Sequence, residues 1–287
     1  MAEPRTFVIG FPQDNMANDW RRAQVMAVKT ELARYQNISF IYSDAKGDIT
    51  QNIQDIENMA DNGVDLLIIN PRDTVAMTPV IRKVRAQGIP VVLLTQRILT
   101  DDYTTFISPS DDKIARQAAA YMAKKLRGEG NILILQGPLS SSSSAKRTVG
   151  FLEEIAKHED INVVALTTAI NRRPDALQAV ESALSSGLTI DAIFAQDDRM
   201  IAGAMMALKA AKINPKDMLI VGIGYIPESR AAIRSGNQDA AFTYPTSGKE
   251  GAQIAVQILL GNRVARDMEV PFEMITRSNV ERVDPVF

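Results

Sequence analysis

The sequence predicts an α/β fold built as two similar halves, each a parallel sheet with helices packed against it. Short apolar runs, such as residues 192–195, alternate along the chain with segments of helical spacing. These runs show no apolar–polar alternation, which is typical of strands covered on both faces of a parallel sheet. Strands that alternate with helices form parallel βαβ units with right-handed crossovers. Polar or small residues follow the strands, at the sheet edge where such folds bind ligands.

The first half is predicted from residue 7 to residue 107. A strand at 7–11 leads through a polar loop to a helix at about 19–35, whose apolar positions include Trp20 and Val25. The pattern then repeats as strand 38–42, helix 49–62, strand 65–69, helix 74–87, strand 89–94 and the apolar stretch 103–107. Two of these strands end at polar residues, the first at Asn70 and the second at Thr95 and Gln96.

The second half repeats the alternation. The predicted order is helix 110–127, strand 131–135, a serine-rich loop through 140–144, a helix holding Arg147, strand 162–166, a helix to 186, strand 192–195, helix 199–213, strand 218–222, helix 228–235, strand 239–243, helix 248–260 and a strand-like piece at 269–275. Pro138 lies in the serine-rich loop and Asn171 in the polar stretch 167–173, so both follow strands.

Two adjacent carboxylates, Asp197 and Asp198, follow the apolar run at 192–195 and open the next helix. Asp is a preferred N-cap residue and suits the positive end of a helix, so capping alone is one interpretation. Only one of the two is needed as a cap, which leaves the other for a ligand. The alternatives of cap and ligand-binding carboxylate stay open for each residue.

Composition excludes several classes of protein. A chain of 287 residues, 46% hydrophobic and 23% charged, is typical of a soluble protein of about two domains. A net charge of -2 gives no basic surface for nucleic acid. No cysteine and a single histidine, His158, disfavour a disulfide, a zinc site or a Ser-His nucleophile, and no cofactor is expected. No stretch of about 20 apolar residues predicts a membrane span, and no export signal is evident at the start.

A series of short motifs follows the strands in a characteristic order. They are NDWR at 18–21, DLLIINP at 65–71, IPVV at 89–92, SDD at 110–112, LQG at 135–137, RTVGF at 147–151, FAQDDRM at 194–200, VGIGYIP at 221–227 and AAFTY at 240–244. In combination they make the chain resemble the sugar-binding solute receptors of bacterial ABC importers, the ribose-binding-like group with the type I periplasmic binding protein fold.

The resemblance implies two Rossmann-like lobes joined by three hinge crossovers, near residues 108–110, 243–246 and 270–276. The amino-terminal lobe would hold residues 1–108 and 245–270, and the carboxyl-terminal lobe residues 109–244 and 271–287. A ligand would bind between the lobes and close them. The resemblance also implies a periplasmic monomer without its signal peptide, with the membrane permease of an ABC importer or a membrane sensor as its partner.

Carried over position by position, the resemblance implies a set of ligand-binding residues that combine carboxylates, amides, guanidinium groups and aromatic rings. The set is Asp14, Asn18, Trp20, Arg21, Asn70, Thr95, Gln96, Ser110, Pro138, Arg147, Asn171, Asp197, Gly224, Tyr225 and Tyr244. These residue types suit a polyol, which presents hydroxyl groups around an apolar carbon face. Simpler interpretations exist: Trp20 as packing, Arg147 as a solvated helix charge and Asn70 as a turn residue.

Two departures from the family pattern bear on the ligand. Thr95 and Gly224 stand where many members carry a hydroxyl-binding carboxylate. We therefore predict weak binding of ribose, glucose and galactose as pyranoses, because each unpaired buried polar group costs about 1–3 kcal/mol. A furanose, a cyclic polyol and an amino-substituted polyol all remain open.

Three classes of function fit parts of the sequence. A solute receptor is favoured, because motifs of both halves are present without a complete catalytic constellation. An enzyme would need Asp14 and Asp197 at a defined separation, as in glycosidases, which a sequence does not supply. A sugar-responsive repressor would carry an amino-terminal helix-turn-helix segment, whereas the first strand begins at Phe7.

Overall fold

The computed structural model describes residues 5–286, and within this range the chain separates into two compact units. Unit 1 consists of the residues up to Pro109 together with Thr246–Val270. Unit 2 consists of Ser110–Pro245 and the residues from Pro271 onward. The predicted lobe boundaries, at 108/109 and 244/245, differ from these by one residue, and the third lies at the same place.

Strands and helices alternate along the described chain. The strands are β1 (Phe7–Gln13), β2 (Ile38–Asp44), β3 (Leu66–Ile69), β4 (Val91–Leu94), β5 (Thr105–Ser108), β6 (Glu129–Gln136), β7 (Asp160–Thr168), β8 (Ala192–Ala195), β9 (Leu219–Gly224), β10 (Ala240–Thr243), β11 (Asp267–Glu269) and β12 (Met274–Thr276). The helices are α1 (Asp19–Leu32), α2 (Ile49–Asp61), α3 (Thr74–Ala86), α4 (Asp111–Lys125), α5 (Ser142–Ile155), α6 (Arg173–Ser185), α7 (Asp198–Ala210), α8 (Pro227–Ser235) and α9 (Gly248–Leu259).

Each unit is built on one sheet. In unit 1 the strand order is β11-β5-β4-β3-β1-β2, and all neighbouring strands are parallel. In unit 2 the order is β12-β10-β9-β8-β6-β7, parallel except for the antiparallel pair β10 and β12. The predicted α/β class with two similar Rossmann-like halves is therefore confirmed.

Helices cover both faces of the unit 1 sheet, which explains why its strands are apolar without alternation. Leu67 and Ile69 of β3 pack in one cluster with residues of α2 and α3. Leu66 and Ile68 of the same strand pack on the opposite face with residues of α1 and α9. Since successive side chains of a strand point to opposite faces, a strand buried on both sides must be apolar at every position.

The unit 2 sheet follows the same rule. Leu133 of β6 and Ile193 of β8 pack against α6 and α7. On the other side of β8, the ring of Phe194 stacks on Phe151 of α5 with centroids 4.2 Å apart. Both sheets are thus held between helices, which leaves the carboxyl ends of the parallel strands as the place for polar groups.

Two predicted elements differ from the structure. The strand-like piece at 269–275 is two strands, because Pro271 interrupts the run: β11 joins the sheet of unit 1 and β12 that of unit 2. The serine-rich loop is shorter than predicted, since α5 already begins at Ser142. The side chain of Ser141 accepts a hydrogen bond from the Ser144 N–H and so caps this helix.

Candidate functional site

At the end of β1 in unit 1, a buried carboxylate is paired with an arginine. Asp14 is 2% exposed, its carboxylate forms an ion pair with the Arg21 guanidinium, and Arg72 Nε lies 3.9 Å from Asp14 Oδ2. The negative charge of Asp14 is thus compensated by neighbouring arginines. Asp14 and Arg21 form an electrically neutral pair, and a ligand role for either residue stays a prediction.

The first turn of α1 holds two further predicted ligand residues. The Asn18 side chain accepts a hydrogen bond from the Arg21 N–H at 3.1 Å and is the N-cap of the helix. Trp20 follows it and is half-buried. The cap fixes where α1 begins. Sugar contact by Asn18 and Trp20 stays a prediction.

Asn70 at the end of β3 belongs to a chain of buried amides. Its Nδ2 donates to Gln24 Oε1 at 2.9 Å, and Gln24 Nε2 donates to the Thr246 main-chain carbonyl at 2.7 Å. Gln24 is 0% exposed and Asn70 is 3% exposed. Within the described residues, Asn70 Oδ1 is a buried acceptor without a hydrogen-bond donor. Asn70 is therefore more than the turn residue of the simpler interpretation.

Thr95 and Gln96 follow β4, where the chain makes a sharp turn. Thr95 has a φ of 60°, and its hydroxyl donates to the Leu94 carbonyl at 2.8 Å. The Gln96 N–H donates to the same carbonyl at 2.7 Å. Gln96 Oε1 is shielded from solvent and has no hydrogen-bond partner in the part of the chain that the structure describes. A buried amide oxygen thus follows the turn after β4.

In unit 2, Arg147 of α5 is a buried cation. Its side chain is 9% exposed, and its Nε donates to Asp111 Oδ1 at 2.8 Å. One terminal nitrogen, Nη1, donates to the Gln196 carbonyl at 2.6 Å, and the guanidinium carbon lies 4.4 Å from the centroid of the Tyr244 ring. The Tyr244 hydroxyl lies 3.4 Å from Asp111 Oδ2. The interpretation of Arg147 as a solvated helix charge is therefore wrong.

The electrostatics of this cluster keep the arginine charged. Burial alone would lower the pKa of Arg147, but Asp111, together with Tyr244 and Asp197, outweighs it and the pKa lies above its ordinary value. Nε and Nη1 are occupied, and no hydrogen bond from Nη2 is found among residues 5–286. Arg147 can therefore still donate a hydrogen bond, and its charge is already balanced by Asp111.

Three other predicted residues surround the starts of the unit 2 helices. The Ser110 side chain caps α4 by accepting from the Lys113 N–H at 3.4 Å. The Pro138 carbonyl accepts from the Ser141 N–H at 3.1 Å in the turn before α5. Asn171 has a φ of 57°, and its Oδ1 is buried without a partner in the described chain. Ligand contact by these three residues stays a prediction.

The two carboxylates after β8, Asp197 and Asp198, make different contacts. Asp197 is the N-cap of α7, with Oδ1 accepting from the Arg199 N–H at 2.9 Å, and its Oδ2 pairs with the Arg199 guanidinium at 2.7 Å. Asp198 is 2% exposed and its Oδ2 accepts from the Tyr225 N–H at 2.6 Å. Burial raises the pKa of Asp198 to about 7. Asp197 is thus the cap, and Asp198 organises the loop after β9.

Gly224 and Tyr225 differ most from their predicted role. Gly224 has a φ of 134°, a conformation that favours glycine. The Tyr225 side chain is 0% exposed, packs in a core cluster with Ile233 and Ile275, and its hydroxyl donates to the Val283 carbonyl at 2.9 Å. The prediction that Tyr225 binds ligand is wrong, because the Asp198 contact and a φ of 51° turn its ring into the core.

The supporting residues Gln24, Asp111 and Gln196 are not among the predicted site residues. Gln24 lies four residues from both Trp20 and Val28, on the same face of a helix. A polar residue on an apolar helix face was the signal that could have identified it as a buried hydrogen-bonding residue. Gln196 is 0% exposed and its side chain accepts from the Gly137 N–H at 3.0 Å. Asp111 and its partner Arg147 are 36 residues apart in the sequence, and no local pattern predicts such a pairing.

The described residues contain no cluster of three or more His, Cys, Asp or Glu side chains suited to a metal ion. Over the same range, no helix has both the length and the apolar character required to cross a membrane.

The chain matches a protein-family model described as periplasmic binding protein domain over residues 9–263. The chain belongs to this family. The proteins of the family are solute-binding receptors rather than enzymes, and the family is periplasmic.

Individual relatives cover most of the chain. The xylitol-binding protein of Mycolicibacterium smegmatis is 32% identical over 87% of this chain and 72% of its own length. An ABC transporter solute-binding protein from Bacillus halodurans, solved with bound myo-inositol, is 31% identical with a TM-score of 0.92 and covers 98% of both chains. The fructose-binding periplasmic domain of a hybrid two-component system is 32% identical, with a TM-score of 0.91, over 96% of this chain and 92% of its own.

Proposed function

We propose that this protein is the solute receptor of an ABC importer and that it binds an uncharged sugar or polyol. The observation that carries the proposal is the pairing of carboxylates with arginines where strands end and helices begin. Asp14 pairs with Arg21 in unit 1, and Arg147 with Asp111 in unit 2. Such pairs leave hydrogen-bonding groups without a net charge that would demand a charged ligand.

The groups that remain suit hydroxyls. Asn70 Oδ1 is an acceptor without a donor in the described chain, and Arg147 can still donate from Nη2. A hydroxyl can donate to the first or accept from the second. A half-buried aromatic, Trp20, is suited to an apolar sugar face. Xylitol, myo-inositol and fructose, the ligands named for three of the similar proteins, are uncharged polyhydroxy compounds and support the same class.

Among the ligands left open by the sequence, we favour a furanose or a cyclic polyol over an amino-substituted polyol. An ammonium group would need a carboxylate that is not already paired, whereas Asp14, Asp111 and Asp197 each have an arginine partner. Thr95 and Gly224 stand where many family members have a carboxylate, and we therefore still predict weak binding of ribose, glucose and galactose pyranoses.

The test is a thermal-shift screen followed by calorimetry on protein that has been unfolded and refolded to remove carried-over ligand. Xylitol, myo-inositol and D-fructose are compared with ribose, glucose and galactose, and with glucosamine and glucuronate as charged controls. We expect an uncharged polyol to raise the melting temperature, since a ligand of the folded state stabilises it by mass action. Micromolar or tighter binding of glucosamine or glucuronate, with no binding of neutral compounds, would reject the proposal.

A matched pair of variants tests the role of Arg147. Arg147→Lys keeps a positive charge near Asp111 but removes the Nη2 donor, and it should weaken polyol binding about tenfold or more. Arg116→Lys is the control, because Arg116 forms exposed pairs with Asp112 and Glu153 on α4 and α5. Equal effects of the two changes on affinity would show that Arg147 does not contact the ligand.

A second candidate is a receptor that presents its ligand to a membrane sensor. The similarity to the periplasmic domain of a hybrid two-component system favours it. Deletion of the chain in its host separates the candidates: loss of uptake of the labelled polyol indicates import, whereas loss of polyol-induced transcription with normal uptake indicates sensing. In either role we propose a periplasmic monomer. Lobe closure, which the resemblance implies, stays a prediction for small-angle scattering with and without ligand.

A further inference from the structure

The amide of Asn70 can adopt only one orientation if its buried neighbours are to be satisfied. The Thr246 main-chain carbonyl can only accept, so the Gln24 group facing it at 2.7 Å must be the NH₂. Gln24 Oε1 therefore faces Asn70, and the Asn70 group at 2.9 Å must be its NH₂. The oxygen of Asn70 then faces away from Gln24, where no described residue donates to it.

The beginning of this chain of amides is held rigidly. Ser247 has a φ of 58°, and a Cβ on Gly248 would lie 2.5 Å from the Gln24 main-chain oxygen. Helix α1 and the start of α9 thus approach as closely as glycine allows, and the Thr246 carbonyl keeps its place beside α1. Gln24 is 0% exposed, so water does not compete for either end of its amide.

We infer that Gln24 is a positioning residue that fixes Asn70 with its oxygen toward the ligand, so that the ligand must donate a hydrogen bond there. The inference rests on the proposed function, because it assigns Asn70 to the polyol site. It goes further by naming the polarity at one position of the ligand: a hydroxyl is accepted, and a group that cannot donate, such as a fluorine or an ether oxygen, is rejected.

The binding test uses xylitol, myo-inositol and D-fructose together with their monodeoxyfluoro derivatives, in which one hydroxyl at a time is replaced. Asn70→Ala identifies the hydroxyl concerned, because it removes the fluorination penalty at that position alone. In the wild-type protein we expect this penalty to be about tenfold or more in Kd, the value of one buried hydrogen bond. In Gln24→Met, where the Asn70 amide can turn over, we expect the penalty to fall to about threefold or less.

Two further variants separate positioning from packing. Gln24→Glu, when protonated at low pH, can donate to the Thr246 carbonyl and accept from Asn70, so it should restore the wild-type penalty. Gln253→Met makes the same change at a residue of unit 1 whose Nε2 donates to Glu31 at 3.0 Å, and it should leave the penalty unchanged. A merely structural role of Gln24 would lower the affinity for all derivatives alike, and this result would overturn the inference.

A measurement without ligand keeps the two proposals distinguishable. The side-chain NH₂ protons of Asn70 are assigned by their loss in Asn70→Ser. In the free protein, these protons should exchange with solvent at least about tenfold faster in Gln24→Met than in the wild type. Unchanged exchange refutes the role of Gln24 even if a polyol binds. Absence of binding by every polyol refutes the proposed function even if exchange is accelerated.

Discussion

Neutralising Asp111 should destabilise the protein far more than neutralising its neighbour Asp112. The Asp111 side chain is 5% exposed and pairs with Arg147, which is 9% exposed. The Asp112 side chain is 44% exposed and pairs with Arg116, which is 34% exposed. The two residues are adjacent in the first turn of α4, so Asp111→Asn and Asp112→Asn make the same chemical change in the same helix turn.

The expected difference follows from burial. Removing one partner of a buried ion pair leaves an uncompensated charge and costs about 3–5 kcal/mol. Asn at 111 retains an oxygen that can accept from Arg147 Nε, so we expect a loss of about 3 kcal/mol. An exposed pair contributes less than about 1 kcal/mol. Adding Arg147→Met to Asp111→Asn should recover part of the loss, because no buried charge then remains.

The assay is urea denaturation followed by circular dichroism, with the fluorescence of Trp20, the single tryptophan, as a separate report on unit 1. We expect the transition midpoint to fall in Asp111→Asn with little change in Asp112→Asn. Losses of similar size in both variants, or a loss below about 1 kcal/mol in Asp111→Asn, would refute the argument that Asp111 compensates a buried cation.

Three further predictions use the same denaturation assay. Because the pKa of Asp198 is raised to about 7, the folded protein keeps a proton that the unfolded chain releases near pH 4. The free energy of unfolding should therefore fall between about pH 4 and pH 7, by on the order of 4 kcal/mol for this group. The variant Asp198→Asn should show a smaller fall over the same pH range. Tyr225→Phe removes the hydrogen bond to the Val283 carbonyl and should lower the free energy of unfolding by about 1 kcal/mol, with polyol affinity unchanged. A loss of affinity would instead show that Tyr225 contributes to ligand binding. Asp197→Ala should cost about 1 kcal/mol as a lost cap, and a further fall in affinity would add a ligand contact.

The fold was predictable because burial leaves a local signature. Strands covered on both faces must be apolar throughout, as Leu66 to Ile69 are, and the predicted strands lie within a few residues of the observed ones. Strand ends were less accurate, since β6 and β7 continue through polar residues at sheet positions that tolerate them. The break at Pro271 was missed because apolar residues on both sides of it suggested one strand.

The site was only partly predictable because its partners are distant in sequence. Arg147 could be placed near the ligand from its motif, but its pairing with Asp111 depends on how α4 and α5 pack. Tyr225 was assigned by its position after a strand, and a positive φ at a residue other than glycine is not visible in a sequence. Sequence position thus identified which strand ends matter, and packing determined which side chains point away from the core.

Asp198 and Gly224 lie side by side at the end of β9. A Cβ on Gly224 would lie 3.6 Å from Asp198 Cβ and 3.8 Å from its Oδ2. A carboxylate at position 224 would therefore lie beside a buried carboxyl group whose pKa is already about 7. Two such groups disfavour each other's ionisation. At the end of β9, Asp198 accepts the hydrogen bond from the Tyr225 N–H beside Gly224, so a second carboxylate at position 224 would raise the cost of ionising this group.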